Sequence, residues 1–177
     1  MEKIARLSYE DSCRVLQERQ VIPAGEIPPL PYDPPRHNDE RPGLSFFRTV
    51  LADVKLDKLT LPRTFFGRSE IRAVSFRGSD LSQSRANWND FIEVDLTSAD
   101  LSNSDMRACV FNRVRFTGTC LAGVDFRYCG FKGCSFSGAD MTDARLTRKA
   151  GVALRLSPEQ QSVVDWQSDD GDEPEGG

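Results

Sequence analysis

From Phe46 to Leu146 every fifth residue is large and apolar: of 21 such positions, 20 carry Phe, Leu, Ile or Met, and Ala86 alone departs. Two residues earlier in each step, from Leu44 to Ala144, 18 of 21 positions carry Ala, Ser, Thr, Val or Cys; Leu44, Leu59 and Asn89 are the exceptions. The other three positions of each pentad are mostly polar or Gly. A period of five is neither the two of a strand nor the 3.6 of a helix. It fits a chain that runs straight for a few residues, turns a corner and repeats, pointing one large and one small side chain inward at each step. Four steps close a square coil of 20 residues. Successive coils then stack about 4.8 Å apart with the backbone pairing of a parallel sheet.

Residues 20 apart agree with that coil. Leu61, Leu81, Leu101, Leu121 and Met141 share one side, while Phe91, Phe111, Phe131 and Phe76, Phe116, Phe136 share two others. The small residues follow because two rows of bulky side chains cannot share a narrow interior. With "FRGSDLSQS", "VDLTSADLSNSDM" and "FSGADMTDARL", residues 44–148 resemble the pentapeptide repeat family, whose motif is A(D/N)LXX. The resemblance implies a right-handed quadrilateral β-helix; the spacing gives the coil and not its hand. The expected fold is an all-β solenoid of about five coils, with short N-terminal and C-terminal helices as caps. "TLPRTFF", with Leu59 and Pro62 nearby, and "RANWNDF", with Ala86 and Asn89, depart from the pattern and predict local distortion.

Stacked coils leave an unpaired strand edge and bare apolar residues at each end, so both ends need caps. Residues 149–167 read as a capping helix, with Ser157 as N-cap, Pro158 at the first helical position and Gln160 completing a capping box. Val163, Val164 and Trp166 offer apolar contacts to the coil or to a second copy, a homodimer through the C-terminal helix. Residues 168–177 are acidic and Gly-rich and read as a disordered tail. Residues 1–43 combine a helix from Ser8 to about Gln20, with Tyr9, Cys13 and Leu16 on one side, and a stretch with seven prolines between Pro23 and Pro42. That stretch is either an arm packed on the first coil or a linker.

Composition removes whole classes of function. No apolar run approaches bilayer length, and "MEKIARLSYEDS" lacks the marks of an export signal, which predicts a cytoplasmic protein. Five cysteines, an odd number without CxxC spacing, predict reduced thiols, and no metal or cofactor is expected. Cys109, Cys129 and Cys134 take small inward positions; Cys109 stacks over Cys129, as two packed thiols in preference to a disulfide, and Cys120 points outward. The one histidine, His37, has no Ser or Cys partner, so no catalytic set is evident and the chain reads as no enzyme. Gly118, Gly123, Gly133 and Gly138 fall at pentad corners, not in a phosphate loop. Asp80, Asp100 and Asp140 precede the large residue and are expected to bond nearby backbone.

Function is then left to the outer faces. One side collects Arg48, Arg68, Arg85, Arg107, Arg127, Arg145 and Arg148 against Asp105 and Asp125, a difference of +5, together with Phe47, Phe65, Trp88 and Tyr128. Arginine interleaved with exposed aromatics is the composition of interface hot spots, although a plain solvated side would look the same. The candidate partner-binding residues are Arg68, Arg85, Trp88, Arg107, Arg127, Tyr128 and Arg148, and the partner expected is an acidic protein, a toxin or an enzyme. The resemblance to pentapeptide repeat proteins implies the most concrete form of that reading, a bacterial immunity protein that neutralises a cognate toxin.

The family also supplies an alternative, a DNA mimic that binds DNA gyrase and protects it from quinolones or toxins. That role needs a long, strongly negative rod. Residues 44–148 hold 15 Lys plus Arg and 12 Asp plus Glu, a net +3. Five coils span about 24 Å, or about seven base-pair steps. Direct nucleic-acid binding is the weaker reading again, because the whole chain is acidic.

Overall fold

The structure, a computed structural model, describes residues 3–36 and 42–169. Helix α1 (Tyr9–Glu18) leads into the proline-rich stretch. Three-residue strands then mark the walls: β1 (Ser45–Phe47), β2 (Val50–Ala52), β3 (Phe65–Gly67), β4 (Glu70–Arg72), β5 (Asp90–Ile92), β6 (Val110–Asn112), β7 (Gly130–Lys132) and β8 (Arg145–Thr147). Helices α2 (Arg148–Val152) and α3 (Pro158–Val163) precede a last strand, β9 (Asp165–Gln167). The pairings are parallel and join each residue to the one 20 positions on, as in Phe91↔Phe111 and Thr60↔Asp80. The 20-residue coil of the sequence reading is the observed one.

One ladder runs without a break from Ser45 through Phe65, Arg85, Asp105, Asp125 and Arg145 to Asp165. Its seven rungs make about six turns where the sequence suggests about five, because β9 resumes the ladder after the helices. Segment 149–167 is therefore not a single helix. Val164 and Trp166 fall 20 residues after Ala144 and Leu146 and continue their small and large positions, while α2 and α3 replace the sides between. The distortions expected near Pro62 and Ala86 are absent: the pairings Phe65↔Arg85 and Asp90↔Val110 keep register. Pro62 suits a turn whose next residue, Arg63, is left-handed at φ 57°. Ala86, only 3% exposed, leaves a cavity of about 10 Å³ between Phe66 and Met106, not a kink.

The corners have one backbone solution. Every fifth residue from Arg48 to Asp143 has φ between 50° and 69°, and only five of these 20 positions are glycine, Gly78 and the four expected from sequence. The left-handed residue turns the chain through the corner so that the next large side chain again faces the lumen. Inside, the rings stack rung on rung: Phe91, Phe111 and Phe131 at 5.1 Å steps, Phe116 on Phe136 at 4.7 Å. Phe111, Phe116 and Phe126 have no exposed surface.

The small inward residues do more than leave room. Ser79 Oγ donates to Leu56 O at 2.6 Å and accepts from Leu59 N at 2.9 Å. Ser104 Oγ likewise donates to Leu81 O and accepts from Ser84 N, both at 3.1 Å. These side chains lace each coil to the one before and satisfy backbone groups that the short strands leave unpaired. Asn89 fits because its amide plays both parts, accepting from Ser69 N at 2.8 Å and donating to Phe66 O at 3.0 Å. Cys109 and Cys129, free thiols, donate to Ala86 O and Met106 O from the same place.

Both ends are plugged. Ser8 caps α1, whose Cys13 and Leu16 have no exposed surface, and Ser12 Oγ accepts from Thr60 N at 2.8 Å, where a preceding coil would have stood. The proline-rich stretch packs on this end through Tyr9 Oη to Pro28 O and Arg63 to Pro31 O. At the other end the capping box of Ser157 and Gln160 forms, and Gln160 Nε2 also donates to Phe136 O and Ala139 O of the last coil at 2.7 and 2.9 Å. Val164 is buried, and Trp166 closes on Gly151, where an added Cβ would lie 2.4 Å from the ring. These contacts direct Val164 and Trp166 to the solenoid itself.

Two substitutions weigh the lumen against the cap. Phe111→Ala is expected to cost about 3–5 kcal/mol. Gln160→Leu, which strips two carbonyls of their donor, is expected to cost about 1–3 kcal/mol. Urea unfolding followed by circular dichroism measures both.

Candidate functional site

The lumen is filled, so binding chemistry has to lie on the walls and corners. Four corners per coil sort the left-handed residues into four columns along the rod. Three of the columns contain glycine: Gly78, Gly118 and Gly138 in one, Gly123 in the second and Gly133 in the third. The fourth, Arg48, Arg68, Trp88, Ala108 and Tyr128, contains none, and Arg148 follows it at the start of α2. It also holds Trp88 at φ 59° and Tyr128 at φ 63°. A bulky side chain in this conformation is disfavoured relative to glycine. Trp88 is 46% exposed and Tyr128 is partly exposed. Two aromatics in left-handed backbone on one line mark this corner as the candidate site.

Beside the corner the ladder carries charge. Arg85 pairs with Asp105 at 3.3 Å, Arg107 with Asp105 at 2.8 Å and with Asp125 at 3.8 Å, and Arg127 with Asp125 at 2.7 Å. Arg145 reaches Asp125 at 3.9 Å and Asp165 of β9 at 3.6 Å. Burial pushes the Asp105 carboxyl up, but hydrogen bonds from Arg107 and the charges of Arg107 and Arg85 outweigh it and hold the group below the usual carboxylate range. The Asp105 hydrogen bonds raise Arg107 in turn.

The structure thus divides the seven residues expected to bind a partner. Arg68, Trp88, Tyr128 and Arg148 share one corner line, with Arg68 and Arg148 exposed. Arg85, Arg107 and Arg127 lie alongside it, partly buried in ion pairs. The difference of +5 counted from sequence already subtracts Asp105 and Asp125 but omits Asp165, which pairs with Arg145, and it does not show which arginines are engaged in ion pairs. Arg48 gains importance: it is exposed and stands over the Phe47 ring at 5.2 Å, as Arg148 stands over Trp166 at 5.4 Å. The 20-residue step from Arg48 to Arg148 was the signal that finds this line.

Other places offer less. The groove along Lys55, Asp95 and Arg113 is neutralised by its own pairs, Arg77–Asp95 at 3.1 Å, Arg115–Asp95 at 3.4 Å and Arg113–Glu93. Asp80, Asp100 and Asp140 each accept the backbone N–H two residues on, at 2.9, 2.9 and 3.0 Å. Burial pushes the Cys109 thiol up to about 12, and burial also raises Cys120. His37 and most of the acidic tail lie outside the described residues. Among the described residues no helix is long and apolar enough to cross a membrane.

The pentapeptide repeats family matches residues 90–127 and 109–148, with eight copies of the repeat. Among solved structures the chain is similar to HetL, a pentapeptide repeat protein involved in heterocyst differentiation regulation in the cyanobacterium Nostoc, with a TM-score of 0.55 and 12% identity. That match covers 56% of this chain and 48% of HetL, so the chain spans about half the length of that relative. It is also similar to a pentapeptide repeat protein of the Arabidopsis thaliana thylakoid lumen, with a TM-score of 0.50, 27% identity, and 64% and 72% of the two chains covered. QnrB1, a plasmid-mediated fluoroquinolone resistance protein, overlaps with a TM-score of only 0.29 at 17% identity over 58% and 63% of the chains, too little to bear on function. No curated protein matches the chain.

Two stability measurements follow from this geometry. Asp105 has its folded pKa depressed, so the stability it contributes is present above the unfolded carboxylate value near about 4 and is lost as pH falls through the folded one. The urea midpoint is expected to fall below about pH 4, and Asp105→Asn is expected to lower it at neutral pH and flatten that fall. Trp88→Gly relieves a left-handed penalty of about 1–2 kcal/mol but adds about 0.5–1 kcal/mol of unfolded-chain entropy and loses the half-buried surface of the indole, so no net gain in stability is expected.

Proposed function

With residues 90–148 identified as pentapeptide repeats, we propose that this chain is a non-enzymatic protein-binding rod whose working surface is the corner line from Arg48 to Arg148. The observation that carries the reading is the glycine-free column: the one corner that holds Trp88 and Tyr128 also holds Arg48, Arg68 and Arg148, exposed and outside the ion-paired ladder. A stiff solenoid presents such a line with little ordering cost on binding. The partner that suits it is an acidic protein. Its most concrete form is a bacterial toxin that this chain neutralises as an immunity protein by covering an acidic surface.

The gyrase reading asks for the opposite electrostatics. Residues 44–148 carry a net +3, and the acidic residues of the ladder are tied up with arginine. Protection of DNA gyrase in a supercoiling assay with a quinolone is therefore not expected at micromolar protein.

Photo-crosslinking tests the proposed surface. A benzophenone amino acid at position 68 or 128 is expected to trap an acidic protein in the cells that make this chain, in a salt-sensitive way. The same probe at position 118, on a glycine-containing corner, is expected not to. The same proteins trapped equally from all three positions would contradict the assignment.

A further inference from the structure

Inside the rod every rung of the aromatic column is filled: Phe91, Phe111 and Phe131 stack at 5.1 Å intervals, 11–18° from parallel. On the glycine-free corner the same spacing is occupied differently. Trp88 and Tyr128 stand two rungs apart, and the rung between them holds only the methyl group of Ala108. Two rungs of a parallel ladder are about 10 Å. Between the two backbone positions that leaves room for one ring. Arg68 and Arg148 stand one rung beyond Trp88 and one beyond Tyr128, both exposed.

We infer that the Trp88–Ala108–Tyr128 corner is a slot for one aromatic side chain of a protein segment, carried between acidic residues that meet Arg68 and Arg148. The inference rests on reading this corner as a protein-binding surface, and it adds what the surface selects. The inserted ring completes the external stack as Phe111 completes the internal one. Carboxylates on either side of it find Arg68 and Arg148, which stand outside the ladder's ion pairs, Arg148 over the Trp166 ring. Ala108 is the residue that keeps the slot open: any larger side chain on that rung would fill it from within.

Fluorescence anisotropy with the full chain and labelled nonapeptides tests the slot. The probes are an acidic peptide with a central Phe, the same peptide with a central Ala, the Phe peptide with Gln for every acid, and a nine-nucleotide oligo-dT. The Phe acidic peptide is expected to bind about tenfold more tightly than its Ala version. Ala108→Phe and Tyr128→Ala are expected to abolish that preference, Ala108→Gly to retain it, and thermal melts to show all three folded. Arg68→Ala with Arg148→Ala is expected to weaken both acidic peptides alike. Equal binding of the Phe and Ala acidic peptides overturns the slot while leaving the acidic-partner surface standing. Equal binding of the Phe acidic peptide and its Gln version overturns that surface as well. Oligo-dT binding more tightly than the Phe peptide, and lost in Tyr128→Ala, overturns the inference in favour of a nucleobase.

Discussion

Everything in this molecule depends on a left-handed backbone residue at every fifth position. That conformation bends a three-residue strand into the next wall, so that four bends return the chain to its starting direction one strand spacing further on. It also costs energy at each non-glycine corner, and 15 of the 20 corners are not glycine. The offset comes from the lumen, where closing the coil buries a large side chain per pentad against the inward residues 20 positions before and after it. Lacing by Ser, Thr, Asn and Cys at the small positions removes a second cost, the backbone groups that a two-bond strand cannot pair for itself.

Because the interior is committed to packing, variation is free only outside, and the corners are where it becomes visible. A corner residue is under pressure toward glycine, and three of the four columns show that pressure relieved somewhere along their length. The fourth resists it throughout while accepting Trp88 and Tyr128. The adjoining ladder carries ion pairs that hold neighbouring coils together and remove its arginines from solution chemistry. The ion-paired ladder and the candidate corner thus occupy adjacent lines on the same side of the rod, which is why a count of arginines merged them.

Much of this was legible in the sequence because the period is rigid. The 20-residue coil, the stacked phenylalanines, the corner glycines and the Ser157–Gln160 box follow from spacing alone. The resumption of the ladder at Val164 and Trp166 was hidden by the helical signals before it: capping residues dominate a local reading, while register over 20 residues is a global property. The second role of the small positions was hidden because a hydroxyl and a methyl serve equally well as spacers, and only the stacked backbone shows what the hydroxyl bonds. The candidate corner was half visible. Its residues were collected with those of the ladder, but which arginines were already partnered depends on distances that a sequence does not contain.

The central claim is that residues 20 apart along the chain are one strand spacing apart in space, with the corner column as a straight outer line. The most direct measurement is pulsed electron resonance between spin labels at Arg48→Cys and Tyr128→Cys, in a chain whose own cysteines are replaced by Ser or Ala. These positions lie four rungs apart, so a single narrow distribution near about 19 Å, widened by the label arms, is the result this account predicts. A broad distribution, or one centred beyond about 35 Å as an 80-residue separation in a loosened chain would give, would contradict it.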